Sequence, residues 1–150
     1  MDPISIHKID QIDQLDSCAE ILAESFNAAF GEEWTRETAN EKLVDFFHSP
    51  HFMGWYVEQD QEIIGGCIGN IETYYSGKYY YLKEMFMTPK LQAKGIGQQL
   101  LKNIQAELKA LGIQMIILYT TNEGHQLSFY QKQGFEEIPG MRMLLYSAED

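Results

Sequence analysis

The chain has 150 residues, 45% of them hydrophobic, which suits a single domain (1–150) with a sizeable core. Its net charge of −11 is unevenly placed: residues 1–75 hold fifteen acidic and three basic side chains, residues 76–150 seven and eight. That balance disfavours a nucleic-acid partner, and the absence of any long apolar run, with a polar and acidic opening MDPISIHKID, argues against a membrane span or signal peptide.

Taken in order, Ile4–Lys8 reads as a short strand. Asp16 or Ser17 caps a helix running to Phe30, with Ile21, Leu22, Phe26, Ala29 and Phe30 at helical spacing. Thr35 opens a second helix, with Ala39, Leu43, Phe46 and Phe47 inward, and Pro50 ends it. Between the helices, Glu32, Glu33 and Trp34 put two carboxylates beside an aromatic ring. This segment is either a turn anchored by Trp34 or the wall of a pocket for a cation. Phe52–Glu58 and Glu62–Tyr75 are two strands joined by a turn at Gln59–Gln61, and Gly65, Gly66 and Gly69 suggest a bulge or close packing.

After the Ser76-Gly77-Lys78 turn, Tyr79–Met87 is an aromatic, apolar strand ended by Thr88-Pro89. Gln92, Ala93, Lys94, Gly95, Ile96 and Gly97 then turn the chain into a helix whose Ile96, Leu100, Leu101, Ile104 and Leu108 recur at helical spacing, with Gly112 as a stop. A glycine loop entering a helix N-terminus offers unpaired N–H groups and a partial positive charge, a combination that binds phosphate. The Walker spacing is absent, and a dinucleotide fingerprint fails because Leu100 stands where a third small residue is needed. Ile113–Thr120 reads as a buried strand and Gln126–Gln133 as a short helix closed by Gly134. Phe135–Ile138 and Met141–Tyr146 read as two last strands around Pro139-Gly140. Cys18 and Cys67 are expected to be reduced, buried thiols of a cytoplasmic protein, and His7, His48, His51 and His125 show no ligand spacing, so no metal is expected.

The Q-x-x-G-x-G loop, following a strand that ends in an apolar-x-Pro step, resembles the acyl-CoA-binding motif of the GNAT superfamily of N-acetyltransferases. Phe129-Tyr130-Gln131-Lys132-Gln133-Gly134-Phe135 is similar to the FY-x-K-x-GF tail of that superfamily, and the resemblance spans roughly residues 52–146. Two positions depart from the pattern. The asparagine seven residues before the tyrosine is Glu123 here, with Asn122 one earlier, and the small residue four before it is Gln126. The YLKEMFM strand, the loop and the Trp34-Thr35 opening of the second helix are similar to aminoglycoside 6'-N-acetyltransferase-like members.

The resemblance implies a mixed α/β fold, a central, mostly antiparallel sheet flanked by helices. It implies acetyl-CoA as acyl donor, attacked directly by an amine. It also implies cofactor contacts from Phe86, Met87, Gln92, Ala93, Lys94, Gly95, Ile96, Gly97, Gln98, Asn122 and Tyr130. Tyr130, whose phenol keeps its proton at neutral pH, is implied as the acid for the departing thiolate. For the base, period-two alternation puts Glu84 on the face of Leu82 and Phe86, where a carboxylate is costly unless partnered or working, and Glu72 is second choice. Lys83 is the obvious local partner, but strand neighbours point to opposite faces. Glu32, Glu33, Trp34 and Glu72 are the expected acceptor contacts. The acceptor is expected to be a small amine, with polycations such as aminoglycosides or polyamines leading and protein N-termini open. A non-catalytic CoA-sensing module is the alternative, and the reading leaves room for a homodimer.

Overall fold

A computed structural model describes residues 2–149. The chain falls into two units, Met1–Tyr119 and Thr120–Asp150. The first contains β1 (Ser5–Lys8), α1 (Leu15–Phe30), α2 (Arg36–Phe47), β2 (Phe52–Gln59), β3 (Glu62–Tyr74), β4 (Gly77–Met87), α3 (Ile96–Ala110) and β5 (Met115–Ile117). One sheet takes the strands in the order β1-β2-β3-β4-β5, antiparallel throughout except for the β4–β5 pair, which α3 connects as a parallel crossover.

Helices cover both faces of this sheet. Ile68 of β3 and Phe86 of β4 share a core with Leu15, Cys18 and Leu22 of α1 and Ala39 and Leu43 of α2. Cys67, the neighbour of Ile68 on β3, points to the opposite face, where it pairs with Trp55 of β2. There the Trp55 indole N–H donates to Glu107 Oε2 of α3 at 2.8 Å, and the ring meets Tyr80 edge-on at 5.6 Å. The apolar stripe of α3 (Ile96, Leu100, Leu101, Ile104, Leu108) is buried, as its spacing predicts. Cys18 and Cys67 are free and buried, and burial pushes both thiols up to about 12, which leaves them protonated and inert.

The alternation along β4 is broken once. Ile68 pairs with Glu84 and Gly69 with Leu82, so Lys83 has no partner across the ladder. This is a β-bulge, two residues against one, and it reverses which face the following side chains take. The expectation that Leu82, Glu84 and Phe86 share a face is therefore corrected. Tyr80 and Leu82 lie toward α3, whereas Glu84 and Phe86 lie toward α1 and α2. Gly69 stands opposite the bulge because no other residue fits there. A Cβ on it would collide with the Tyr81 carbonyl oxygen and lie 2.6 Å from Cζ of the Tyr80 ring.

The C-terminal expectations are also corrected. Of the expected strand Ile113–Thr120, only Met115–Ile117 pairs in the sheet, and residues 135–149 form no strand. Among the described residues of the second unit only α4 (Gln126–Lys132) is regular. The Met141–Tyr146 stretch has strand-forming composition, yet a strand is stabilised by its cross-strand partners and here it has none; Leu144 and Leu145 stand exposed. Among the described residues no helix is long and apolar enough to cross a membrane.

Gly69→Ala is expected to destabilise the protein by about 1–3 kcal/mol through overpacking against the backbone at the bulge. Urea unfolding checks this, and an unchanged midpoint would mean that the bulge yields to a methyl group without cost.

Candidate active site

The loop after β4 has the geometry of an anion cradle. Pro89–Leu91 makes one 3₁₀ turn, and the Gln92 side-chain amide reaches back to donate to the Met87 carbonyl at 3.1 Å. Ala93 (φ +62°) and Gly95 (φ +82°) both take left-handed backbone, and Gly95 is the N-cap of α3. Gln99 N–H, bonded to the Gly95 carbonyl at 3.2 Å, is the first intrahelical donor. The N–H groups of Ile96, Gly97 and Gln98 precede it and have no acceptor within the helix, and no acidic side chain occupies the first turn. A Cβ on Gly95 would meet nothing within 4 Å, so the space over this end is open to a ligand. Lys94 and Gln98 are exposed beside it.

The same strand exposes part of its edge. β5 pairs with β4 only at Tyr79–Tyr81. Beyond the cradle end of β4, Thr88 N–H donates to the Ile64 carbonyl at 2.8 Å, toward β3. Peptide groups alternate between the two edges of a strand, so those of Met87 face away from β3, on the edge that β5 leaves uncovered. Of the expected contacts Phe86 and Met87, only Met87 presents its peptide groups this way, and its carbonyl already accepts from Gln92, which leaves the N–H. Phe86 sends its side chain into the core, 3% exposed, and its peptide groups toward β3.

On the α1–α2 side of the sheet, Glu32, Glu33, Trp34 and Thr38 line an open cleft of about 310 Å³. The loop carrying them is fixed at both ends. The Asn27 side chain of α1 brackets Trp34, accepting from its N–H (2.8 Å) and donating to its carbonyl (2.9 Å). Thr35 caps α2 and exchanges hydrogen bonds with Thr38, each backbone N–H donating to the other's hydroxyl at 3.0 Å. The Trp34 indole N–H donates to Glu32 Oε1 at 3.0 Å, and its ring packs on the core, so Trp34 is both anchor and wall.

Glu84 lies on this side, where the bulge has turned it. Its carboxylate meets Lys42 Nζ of α2 at 3.2 Å, and the same ammonium stands 5.7 Å from the centre of the Trp34 ring. Burial raises the Glu84 carboxyl above the ordinary glutamate range. The charge of Lys42 and its hydrogen bond oppose that shift, the charge of Glu32 adds to it, and Lys83 opposes it weakly. Lys83 does not neutralise Glu84 as a sequence neighbour might; its ammonium sits 3.5 Å over the Tyr81 ring. Sequence reasoning missed Asn27, Thr38 and Lys42. The one signal for Lys42 was its rarity, as one of three basic residues in the first 75.

Within the first unit, Glu72 lies apart from this group. Glu72 accepts from the Tyr74 hydroxyl at 2.9 Å. It is four residues along β3 from Ile68, the partner of Glu84, or about 13 Å at strand rise. In the second unit, Tyr130 on α4 packs edge-on with Phe129 (5.2 Å) and Phe135 (5.5 Å), and Phe135 N–H donates to its carbonyl. Asn122 is exposed in the bend before α4. Among the described residues no cluster of His, Cys, Asp or Glu could hold a metal ion.

An open strand edge, a glycine loop at a helix start and a partly buried carboxylate beside an acidic cleft thus stand in the first unit. Residues 15–135 match the family model described as acetyltransferase (GNAT) family. The chain belongs to that family. An IAA acetyltransferase from Azospirillum brasilense is 34% identical over 73 residues, 48% of this chain and 47% of that protein. The match thus spans about half the length of this curated relative. Among solved structures, an aminoglycoside acetyltransferase from an uncultured soil metagenomic sample, in complex with sisomicin, has a TM-score of 0.79 at 14% identity over 97% of each chain. A predicted acetyltransferase from Clostridium acetobutylicum, with acetyl-CoA, has a TM-score of 0.71 at 19% identity over 95% of this chain and 96% of that one. At these identities the likeness is one of fold.

Gly95→Val is expected to abolish CoA binding. The added side chain enters the open space over the α3 N-terminus, and the strain of a positive φ, about 1–2 kcal/mol, is too small to unfold the protein. Calorimetric titration with CoA measures this, and wild-type affinity in the variant would show that the cradle holds no phosphate.

Proposed function

We propose that this chain transfers the acetyl group of acetyl-CoA directly to a primary amine of a small, polycationic acceptor of the aminoglycoside or polyamine type. Both units serve one acetyltransferase domain, a reading supported by the family match running from residue 15 to 135 across them. The observation that carries the acceptor class is Glu84, a carboxylate held on the helix side of the sheet next to a cleft walled by Glu32, Glu33 and Trp34. Carboxylates in a concave site attract cations, and an indole face receives an ammonium or the apolar side of a sugar ring. The sisomicin complex of a fold neighbour is consistent with such an acceptor.

When bound, acetyl-CoA supplies a thioester whose carbonyl carbon an amine can attack. The N–H groups of Ile96, Gly97 and Gln98 hold the pyrophosphate, with Gln92, Ala93, Lys94 and Gly95 shaping the loop around it. Met87 N–H, on the uncovered edge of β4, polarises the thioester carbonyl. Phe86 fixes that position through its buried ring, and Asn122 is a further cofactor contact. Glu84 takes a proton from the acceptor's ammonium, directly or through a water, since only the free amine is a nucleophile. Burial makes this carboxylate a stronger base than an exposed one. Tyr130 supplies a proton or hydrogen bond to the departing thiolate. Glu72, farther along the same face, receives a distal amine of an extended acceptor.

Thiol release from acetyl-CoA over a panel of monoamines, polyamines and aminoglycosides tests this reading. Turnover should favour polycations, and CoA binding without turnover on any amine would leave a sensing module. Tyr130→Phe should lower kcat by about 10²–10⁴-fold with acetyl-CoA affinity little changed. Unchanged turnover where chemistry limits the rate would return Tyr130 to a packing role.

A further inference from the structure

A cation of this chain already stands behind the Trp34 wall of the cleft. Lys42 Nζ lies 3.2 Å from Glu84 Oε1 and 5.7 Å from the centre of the Trp34 ring, so a carboxylate and an aromatic face together contact one ammonium. Those two groups are what a site for an acceptor amine requires. Thr38, one helical turn before Lys42 and therefore on the same face of α2, lines the open cleft. The lysine side chain is 30% exposed and has a route to water, whereas the Glu84 side chain is 17% exposed and fixed on a strand. The charged groups around Glu84 are Lys42 from α2, Glu32 from the loop and Lys83 from its own strand, with the buried Cys67 thiol behind on β3. Among these, Lys42 is the cation in contact with the carboxylate.

We propose that Lys42 is a built-in stand-in for the acceptor's ammonium, occupying the seat between Glu84 and Trp34 until the acceptor displaces it. Acceptor binding is then an exchange of cations. This rests on the acetyltransferase reading and deepens it, because it assigns acceptor selectivity to one residue. A monoamine replaces an ion pair with an equivalent one and gains little. A polycation places one amine in the seat and further amines against Glu32 and Glu33, and that surplus drives the exchange. Lys42 therefore acts as a positioning residue that raises the charge an acceptor must carry.

Calorimetric titration of butylamine and of spermine into the CoA-bound protein, where no acetyl group is available, reads the exchange without turnover. Lys42→Gln empties the seat, and butylamine should bind about tenfold tighter, the worth of one charge-assisted hydrogen bond no longer contested. Spermine should gain less, so the preference for polycation over monoamine narrows. Lys42→Arg keeps a resident cation and should retain the wild-type preference. Lys8→Gln, on β1, makes the same charge change away from the cleft and should leave both affinities as they are. Far-ultraviolet circular dichroism and CoA affinity confirm that each variant is folded. Weaker or unchanged butylamine binding in Lys42→Gln, or equal gains in Lys8→Gln, would overturn the proposal. Because these are binding measurements, they stand apart from the amine panel: failed turnover counts against the function, and an unchanged preference counts against the exchange.

Discussion

The feature on which the site depends is the one-residue bulge at Lys83. Without it, strict alternation would carry Glu84 to the α3 face with Tyr80 and Leu82, into a core already filled by Trp55, Cys67 and the α3 stripe. A carboxylate there would be desolvated without a cation to pair with, beside the Glu107 carboxylate that Trp55 already holds, at a cost of several kcal/mol. The bulge instead turns Glu84 toward α2, where Lys42 reaches it. Gly69 completes the device, since only a residue without Cβ tolerates the Tyr81 carbonyl at that approach. Past Tyr81, β5 no longer follows β4, and the edge that presents Met87 begins. One inserted residue, two beyond the last pairing with β5, thus decides which side of the sheet carries Glu84.

Electrostatics divides the labour in the same way. The cradle at the start of α3 offers peptide N–H groups, a helix dipole and no nearby carboxylate, which suits a phosphate. The cleft offers Glu32 and Glu33 beside an indole, with Glu84 reached from it through Lys42, which suits a cation. These opposite preferences match the proposed pair of substrates, an anionic donor and a cationic acceptor. The acidic surplus of the first 75 residues is partly spent at this cleft and partly dispersed over α1, whose Glu20 and Glu24 are exposed.

Much of this was legible in the chain. The order of elements through α3, the glycine loop and its helix follow from hydrophobic period and turn residues, and the family follows from the loop and tail motifs. A bulge or close packing was legible in the β3 glycines, but not that the extra residue is Lys83 of β4, because alternation alone put Leu82 and Glu84 together. Gly65, Gly66 and Gly69 did hint at irregular packing, and Gly69 is where it occurs. Lys42 was missed because its partner is 42 positions away, a contact that only the packing of α2 on the sheet creates. Asn27 was missed for a related reason: its amide bonds backbone, and almost any loop could use it. The two last strands were over-read from β-propensity, which stabilises a strand only when a neighbour supplies the ladder.

The central claim is that Glu84, turned to the α1–α2 side by the bulge, accepts the acceptor's proton. Turnover of Glu84→Gln on the best amine, with acetyl-CoA affinity measured on the same sample, tests it most directly. The account predicts a fall in kcat of about 10²–10⁴-fold near neutral pH with donor affinity unchanged. The deficit should shrink as pH rises toward the pKa of the amine, where solvent itself supplies the free base. A variant that turns over within twofold of wild type, or whose deficit is the same at every pH, would contradict it.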